Sequence, residues 1–581
     1  MPNAAMMMGV KGLIKGVNTL YPFQTKQNRK DELSQYLKKG KTPPNIVMVL
    51  VEGLGKTFVG PEADYEGCMP FMDSLAQKSL FWTNFVSTTG RTFGVLPAVL
   101  GSLPFGPSGF MEMGKDAPYH TTMIKLLKQN GYQTGFYYGG DASFDGQRAF
   151  LEKQGIDFIL DEKNYPDSYE KIPPNSGGFS WGYPDRELFR RSFELLNNKT
   201  PYLNVYLTVT THEPFVFKGS EKYDARIKNL MLQYDNNPKI AENQNAFKTL
   251  MYADDALRYF IETYKSRPEF ENTIFIITGD HRMIPIKHKN ELDRYNVPLL
   301  IYSPLLKTNK IFKSICSHAD LPSTLTAYLQ KSHKLSFPDS VHWLGNGLTY
   351  KTSFSSDKQI AIMRNKGDIS EMVYGEYFIT DGALLTIGDN LTLKRNDDKA
   401  ILEKLVNQLD QFKQLNNYVC KFNKLYNVKN TVGTYKADSS EEVTDTTEIA
   451  ENVVVDNVKP KSKPEVVQKV TTQTTALKQA QPAKSDGRKE YKPASTTAPN
   501  KGEAAFIMGK IHAELNNYKQ AKQLLSQAIA SNYKKAESYR LLIALELSFN
   551  KHEDAVKWYN EAIETFGKEA FADLYKKING G

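Results

Sequence analysis

Two short motifs place acidic and imidazole side chains directly after apolar, strand-like runs. Glu52 follows the run 46–51, and Asp280 and His281 follow the run 273–278. A carboxylate at the end of a strand suits a cation, although a surface acid is the simple alternative for Glu52. For Asp280 and His281, the oxygen and imidazole ligands suit manganese, magnesium or zinc, and we favour metal binding over a buried Asp–His pair.

Two further motifs carry a hydroxyl group and a second histidine. The segment 88–94 is a glycine-bounded turn that holds Thr92 and leads into an apolar run. A hydroxyl at a helix start meets free backbone N–H groups, which suit a phosphate or an alkoxide, although an N-cap is the alternative role. His212 follows the apolar run 203–209 and can bind phosphate or transfer a proton, and a structural histidine is the alternative.

The elements that must position these residues alternate between short apolar runs and longer helical stretches over residues 45–434. This alternation predicts an α/β domain with a mostly parallel sheet between layers of helices. In such sheets ligands bind at the carboxyl ends of the strands, where the four motifs fall. The clearest predicted strands are 46–51, 133–138, 203–209, 273–278 and 298–302. The clearest predicted helices are 69–78, 119–130, 184–197 and 246–265.

The remaining regions differ in composition from this domain. Residues 1–44 are predicted to be a solvent-facing N-terminal lead-in segment, and residues 435–500, rich in Ser, Thr, Lys and Pro, a disordered linker. Residues 501–581 contain a repeat of about 34 residues, an all-α pattern that resembles tetratricopeptide repeats, with a plain helical bundle as the alternative. The repeated positions are Ala521, Leu525 and Ala528, matched by Ala555, Tyr559 and Ala562. We expect this module to bind a peptide or protein partner.

The overall composition excludes several classes of protein. The net charge is +9, and the basic residues are scattered or lie near the linker, which favours solubility or attraction to anionic surfaces over nucleic-acid binding. Three widely separated cysteines provide neither a disulfide framework nor a thiolate metal site. No run approaches the roughly 20 apolar residues of a membrane-spanning helix, so we expect no transmembrane helix.

The order of the motifs resembles the lipoteichoic acid synthase and phosphoglycerol transferase branch of the alkaline phosphatase and sulfatase superfamily. The resemblance covers residues 45–329. It is carried, in chain order, by Glu52, 90–92, 136–141, Phe144, Arg148, 181–185, 211–215 and 279–281. The later segment 317–324 is similar to one of sulfatases, and we expect it to cap a helix and pack the domain.

This resemblance implies an alkaline phosphatase-like fold and one divalent metal, with manganese preferred and magnesium or zinc as alternatives. The implied metal ligands are Glu52, Thr92, Asp280 and His281. Thr92 would also be the nucleophile and form a phosphothreonine intermediate. His212 would bind the phosphoryl oxygens or assist the leaving group, and Arg148 would bind the part of the substrate that is not transferred.

The function implied by the resemblance is transfer of a phosphoglycerol or similar phospho-alcohol group. The donor would be a lipid-linked phosphodiester and the acceptor a glycan or lipid of the bacterial cell envelope, with the catalytic domain periplasmic or extracellular. The alternatives are a sulfatase-like hydrolase of phosphodiesters or sulfate esters, and a scaffold protein with a degenerate enzyme domain. The scaffold is disfavoured because the four implied metal ligands are all retained.

Overall fold

The computed structural model describes most of the chain in two compact units, residues 1–446 and 447–581. The described residues are 20–175, 178–196, 201–427, 506, 518–532, 535–548, 551–572 and 574–575. The predicted linker, residues 435–500, lies outside them. In the part of the chain that is described, no helix has both the length and the apolar character needed to cross a bilayer.

The strands of the first unit form a large sheet, a small sheet and a short two-stranded pair. In chain order they are β1 (Thr25–Lys26), β2 (Asn45–Val51), β3 (Leu80–Val86), β4 (Gln133–Tyr138), β5 (Phe158–Leu160), β6 (Tyr202–Leu207), β7 (Thr273–Gly279), β8 (Asn296–Tyr302), β9 (Lys310–Phe312), β10 (Cys316–Ser317), β11 (Ser340–Val341), β12 (Gln359–Asn365), β13 (Asp368–Tyr374), β14 (Tyr377–Thr380), β15 (Ala383–Ile387) and β16 (Leu393–Asn396).

The large sheet is nine-stranded, with the order β10-β3-β8-β7-β2-β6-β4-β5 and β9 paired with β3. Its central strands β7, β2, β6 and β4 run parallel, whereas β8 is antiparallel to both of its neighbours. The prediction of a mostly parallel sheet is confirmed. The five strands expected from the sequence are all present, with ends that differ by at most two residues.

Helices cover both faces of the large sheet. Every residue of β2 is buried, and its side chains alternate between two hydrophobic clusters, with Met48 and Leu50 in one and Val47 and Val49 in the other. Burial on both faces explains why this strand is apolar throughout rather than alternating. The helices of the unit are α1 (Pro70–Ala76), α2 (Val95–Gly101), α3 (Met123–Lys128), α4 (Gln147–Lys153), α5 (Asp185–Leu195), α6 (Asp224–Gln233), α7 (Pro238–Ala241), α8 (Gln244–Lys265), α9 (Leu321–His333) and α10 (Lys399–Lys421).

The small sheet is an antiparallel meander, β12-β13-β14-β15-β16, that the sequence did not predict as a separate element. Leu405 and Leu409 of α10 pack in one cluster with Met363 and Met372 of this sheet. Met363 also forms a parallel bridge with Thr89, which joins the small sheet to the loop before α2. The region 45–434 therefore contains two sheets that meet beside the segment 88–94.

The N-terminal segment differs from its prediction. Residues 1–19 lie outside the described part of the chain, but residues 20–44 are not a solvent-facing lead-in. Strand β1 pairs with β11, and Leu33 and Leu37 are buried in the main hydrophobic core. The physical reason is that removing the apolar surface of these leucines from water is favourable, so the segment is more stable packed against the domain than in solvent. The packed first unit therefore includes residues before position 45.

The second unit contains the helices α11 (Tyr518–Ala530), α12 (Lys535–Ser548) and α13 (His552–Phe566). Both sets of repeated positions, Ala521, Leu525 and Ala528 in α11 and their matches in α13, are buried. The sequence periodicity therefore marks the packed faces of these helices. Assignment to tetratricopeptide repeats stays a prediction.

Candidate active site

Two parallel strands bring the acidic motifs together. β2 and β7 are neighbours in register, with Val51 opposite Gly279 at their carboxyl ends. The next residues, Glu52 and Asp280, therefore leave the sheet side by side at the edge where open α/β sheets bind ligands. Their closeness follows from strand pairing, not from distance along the chain.

Glu52, Asp280 and His281 form a buried cluster whose candidate ligand atoms all lie within 4.8 Å of one another. His281 Nε2 is 3.4 Å from Glu52 Oε1 and 3.5 Å from Asp280 Oδ2. All three residues are at most 5 % exposed. Two carboxylates and one imidazole nitrogen at these separations are a donor set that manganese, magnesium or zinc can share.

The surrounding backbone fixes the orientation of these side chains. Asp280 Oδ1 accepts hydrogen bonds from the backbone N–H of Gly53, at 2.8 Å, and of His281, at 2.7 Å. Asp280 Oδ2 is buried and has no hydrogen-bond partner. His281 Nδ1 donates to the Arg282 carbonyl oxygen at 3.0 Å, so Nε2 is the nitrogen that faces the carboxylates. An unpartnered carboxylate oxygen beside an oriented imidazole nitrogen fits a bound cation.

The electrostatics of the cluster also favour a cation. Burial favours neutral Asp280 and, together with the charge of Glu52, raises the pKa of Asp280. Burial opposes charge on Glu52 as well, but the hydrogen bond and charge of His281 outweigh it and lower the pKa of Glu52. Conversely, Asp280 and Glu52 overcome the effect of burial and raise the pKa of His281. Two buried carboxylates thus compete for the same positive charge, a need that a divalent cation meets.

Thr92 joins this cluster from the loop before α2. Its Oγ1 donates to Glu52 Oε2 at 3.1 Å and lies 3.3 Å from His281 Nε2. Thr92 opens the 3-10 turn Thr92–Gly94, whose N-cap is Arg91, so Thr92 is not an N-cap residue. The hydroxyl is therefore directed at the acidic cluster and is half-buried.

Comparison with known proteins agrees with this geometry. Residues 44–331 match the family model described as Sulfatase. These residues form a sulfatase-family domain. The domain is an enzyme domain of the alkaline phosphatase superfamily, whose sulfatase members use a divalent metal.

Relatives with curated names match part of the chain. A lipoteichoic acid synthase-like protein YvgJ of Bacillus subtilis (strain 168) is 25 % identical over 295 residues, which is 48 % of this chain and 45 % of the relative. Phosphoglycerol transferase I of Salmonella typhi is 23 % identical over 302 residues, which is 48 % of this chain and 37 % of the relative. The chain thus matches less than half the length of these relatives.

Two solved structures share the fold. A protein of the alkaline phosphatase superfamily from Vibrio parahaemolyticus gives a TM-score of 0.55 at 21 % identity, over 74 % of this chain and 98 % of that one. The lipoteichoic acid synthase LtaP from Listeria monocytogenes gives a TM-score of 0.50 at 17 % identity, over 67 % of this chain and 97 % of that one. The alkaline phosphatase-like fold expected from the sequence is therefore confirmed.

His212 lies at the rim of the sulfatase-family site. Its Nδ1 donates to the Glu213 carbonyl oxygen at 2.9 Å, and its ring lies against that of Trp181, with 3.7 Å between the centroids and an interplanar angle of 40°. His212 is close enough for its charge to lower the pKa of Glu52. The ring is held by its neighbours, and Nε2 remains for another partner.

The guanidinium group of Arg148 is paired with two carboxylates of the domain. It donates to Asp161 at 2.6 Å and to Glu152 at 3.4 Å. The buried Asp161 carboxylate therefore fixes the direction of this side chain on α4. Binding of substrate by Arg148 stays a prediction, and it would use the donors that these contacts leave.

Two further residues near the site lie in the segments 136–141 and 317–324, for which no site role was predicted from the sequence. Tyr138 ends β4, and burial together with the charges of Glu52 and other nearby acids raises its pKa. His318 Nε2 donates at 2.9 Å to the carbonyl oxygen of Gly279, the residue before Asp280. Burial lowers the pKa of His318 to about 4, so the ring stays neutral. The motifs that contain these residues do not by themselves indicate this position, because the closeness of Tyr138 and His318 to the acidic cluster follows from sheet order.

The segment 317–324 caps a helix, as expected. Ser317 and Asp320 form a reciprocal capping box at the start of the turn that leads into α9. Asp320 also forms an ion pair with the buried Lys358, with 3.1 Å between Oδ1 and Nζ. The segment thus packs the domain.

Proposed function

We propose that the sulfatase-family domain transfers a phosphoglycerol or similar phospho-alcohol group through Thr92. The observation that carries the proposal is the Thr92 hydroxyl, 3.1 Å from Glu52 and 3.3 Å from His281 in an otherwise buried acidic cluster. A hydroxyl directed at a cation-binding donor set is placed for activation as a nucleophile. Relatives named for lipoteichoic acid synthesis and phosphoglycerol transfer support the substrate class.

Glu52, Asp280 and His281, with Thr92 Oγ1, would hold one divalent cation, with manganese preferred over magnesium or zinc. When bound, such a cation stabilises negative charge on the threonine oxygen and on the phosphoryl oxygens. The unpartnered Oδ2 of Asp280 supports this assignment, because a buried carboxylate oxygen without a partner is costly.

In the first half-reaction Thr92 Oγ1 forms a bond to phosphorus as the bond from phosphorus to the leaving alcohol breaks. The Thr92 proton passes to Glu52 Oε2, the acceptor at 3.1 Å, and from there to water. His212 gives a proton to the leaving alkoxide, and Arg148 binds the part of the donor that is not transferred. In the second half-reaction the oxygen of an acceptor hydroxyl forms a bond to phosphorus as the bond from phosphorus to Thr92 Oγ1 breaks. His212 takes the proton of the acceptor, and water returns a proton to Thr92 Oγ1.

Hydrolysis of a phosphodiester or sulfate ester is the second candidate, favoured by the match to the sulfatase family. The chemistry at Thr92 is then the same, and water replaces the acceptor alcohol. Product analysis with glycerol present separates the two, because a transferase makes a new phosphodiester where a hydrolase releases only free phosphate ester.

The substrates place the enzyme at the bacterial cell envelope, with the catalytic domain periplasmic or extracellular. The donor is a lipid-linked phosphodiester, and the acceptor is a glycan or lipid. A net charge of +9 attracts a protein to anionic surfaces of this kind. The helical unit at 501–581 binds a protein partner, and neither unit binds nucleic acid.

The test is turnover of bis(p-nitrophenyl) phosphate with manganese by Thr92→Ala, Thr92→Ser and the exposed control Thr308→Ala. Loss of the hydroxyl should reduce turnover to background, Thr92→Ser should keep part of it, and the control should match the wild type. Wild-type turnover by folded Thr92→Ala would reject Thr92 as the nucleophile.

A further inference from the structure

The loop 87–92, which carries Thr92, is held by backbone hydrogen bonds from two directions. The N–H of Ser87 donates to the Tyr295 carbonyl oxygen at 2.8 Å. On the other side, the N–H of Met363 donates to Thr88 O at 3.0 Å, and the N–H of Gly90 donates to Met363 O at 3.1 Å. The turn before β8 of the large sheet, which contains Tyr295, and β12 of the small sheet thus hold the same short loop.

The approach of β12 to this loop is closer than a side chain allows. A Cβ atom on Gly90 would lie 2.5 Å from the Arg364 carbonyl oxygen and 3.3 Å from Arg294 Nε. Any other residue at position 90 would have to push β12 away, because the nearest atom is backbone. The contact between loop and small sheet is therefore built into the sequence at Gly90.

One buried carboxylate joins both anchors of the loop. Glu371 on β13 accepts hydrogen bonds from the Tyr295 hydroxyl and from Arg364 Nη2, the latter at 2.8 Å. It also accepts from Thr380 Oγ1 at 2.8 Å. Tyr295 is the residue that holds Ser87, and Arg364 follows directly on Met363. Glu371 is buried, so these charge-assisted bonds form away from competing water.

We propose that Glu371 is a positioning residue for the reaction at Thr92. By binding Tyr295 and Arg364 together, its carboxylate keeps the loop 87–92 where the Thr92 hydroxyl faces Glu52 and His281. Glu371 touches neither the metal ligands nor the substrate in this account. The inference rests on the proposed role of Thr92 as the nucleophile.

The competing explanation is that the Glu371 network only stabilises the small sheet. The two explanations differ in what a weakened network changes. A stabilising role lowers the melting temperature and leaves the folded enzyme fully active. A positioning role lowers kcat of the folded enzyme, since a nucleophile displaced by a fraction of its bond distance to phosphorus reacts far more slowly.

The test compares Glu371→Gln and Tyr295→Phe with the matched control Asp381→Asn. Asp381 is the exposed second carboxylate partner of Arg364, at 2.9 Å, and lies outside the path from Glu371 to the loop. Turnover of bis(p-nitrophenyl) phosphate, manganese affinity and melting temperature are measured on each full-length variant. We expect kcat to fall by about tenfold to a hundredfold in the first two variants, the range caused by small misplacements of reacting groups.

KM and manganese affinity should stay within about twofold of the wild type, because uniform binding is not removed. Asp381→Asn should keep the wild-type kcat. Wild-type kcat in both folded network variants, with only a lower melting temperature, would overturn the inference. If Glu371→Gln does not fold, Tyr295→Phe decides, since it removes a single hydroxyl. Inactive Thr92→Ala beside fully active network variants would reject this inference alone, whereas active Thr92→Ala would reject the proposed function.

Discussion

The large sheet and the small sheet serve one site in different ways. The ends of β2 and β7 carry Glu52 and Asp280, so the large sheet brings the candidate ligands together through parallel register. The small sheet holds the loop 87–92 by backbone hydrogen bonds from Met363 and contributes none of the four candidate ligands. The reactive side chains of a site and the elements that hold them in place can therefore belong to different sheets.

The largest effect is expected for Asp280→Ala at the end of β7. Removing this ligand should abolish manganese binding and lower turnover by about a thousandfold or more, the scale seen when one member of a catalytic unit is lost. Manganese titration by electron paramagnetic resonance, with activity on the same samples, checks the prediction. Unchanged manganese affinity in Asp280→Ala would remove the large sheet from its role as ligand source.

Two core truncations, one in each sheet, should separate the roles of the sheets. Leu50→Ala in β2 and Ile362→Ala in β12 both remove fully buried side chains, and each should cost about 2–5 kcal/mol of unfolding free energy. Their functional effects should differ. Leu50 lies two residues before Glu52, so Leu50→Ala should weaken manganese binding. Ile362 directly precedes Met363, so Ile362→Ala should lower kcat without changing manganese affinity.

Urea denaturation and manganese titration of both variants check this prediction. Equal loss of manganese affinity in the two variants would show that the sheets do not divide the work as described.

The smallest effect is expected for Asp389→Asn. Asp389 and Lys313 form an exposed ion pair at 2.8 Å between the small sheet and the large-sheet domain. Exposed pairs of this kind contribute about 1 kcal/mol or less, so stability and kcat should both stay close to the wild type. Thermal unfolding and turnover measure this, and a large loss of kcat would mean that surface contacts, not the buried network, align the two sheets.

The sequence predicted five of the nine strands of the large sheet, including the four central parallel ones, because these strands are apolar on both faces. Runs such as 46–51 and 273–278 are continuous, and the polar residues that follow them include the candidate ligands Glu52 and Asp280. Local sequence does not show that two residues from distant motifs lie side by side. The order of the strands in the sheet determines this. The convergence of Glu52, Thr92, Asp280 and His281 was accordingly the most predictable part of the site.

The small sheet was missed because each of its strands includes positions that are not buried, and the last three are only four or five residues long. Residues such as Arg364 and Glu371 interrupt the apolar pattern, and only the fold pairs them with one another. Burial of Leu33 and Leu37 was also missed, since their partners lie far along the chain. Supporting contacts of this kind have no local motif, and therefore sequence patterns alone do not identify them.

The role of Thr92 as the nucleophile can be tested by trapping its covalent intermediate. The enzyme is quenched rapidly with acid during turnover with manganese and a phosphodiester, and its peptides are then mapped by mass spectrometry. The account predicts a covalent phosphoryl or phospho-alcohol adduct on Thr92 that needs manganese and disappears in Thr92→Ala. Turnover at the normal rate with Thr92 unmodified at every time point, or an adduct on a different residue, would contradict it.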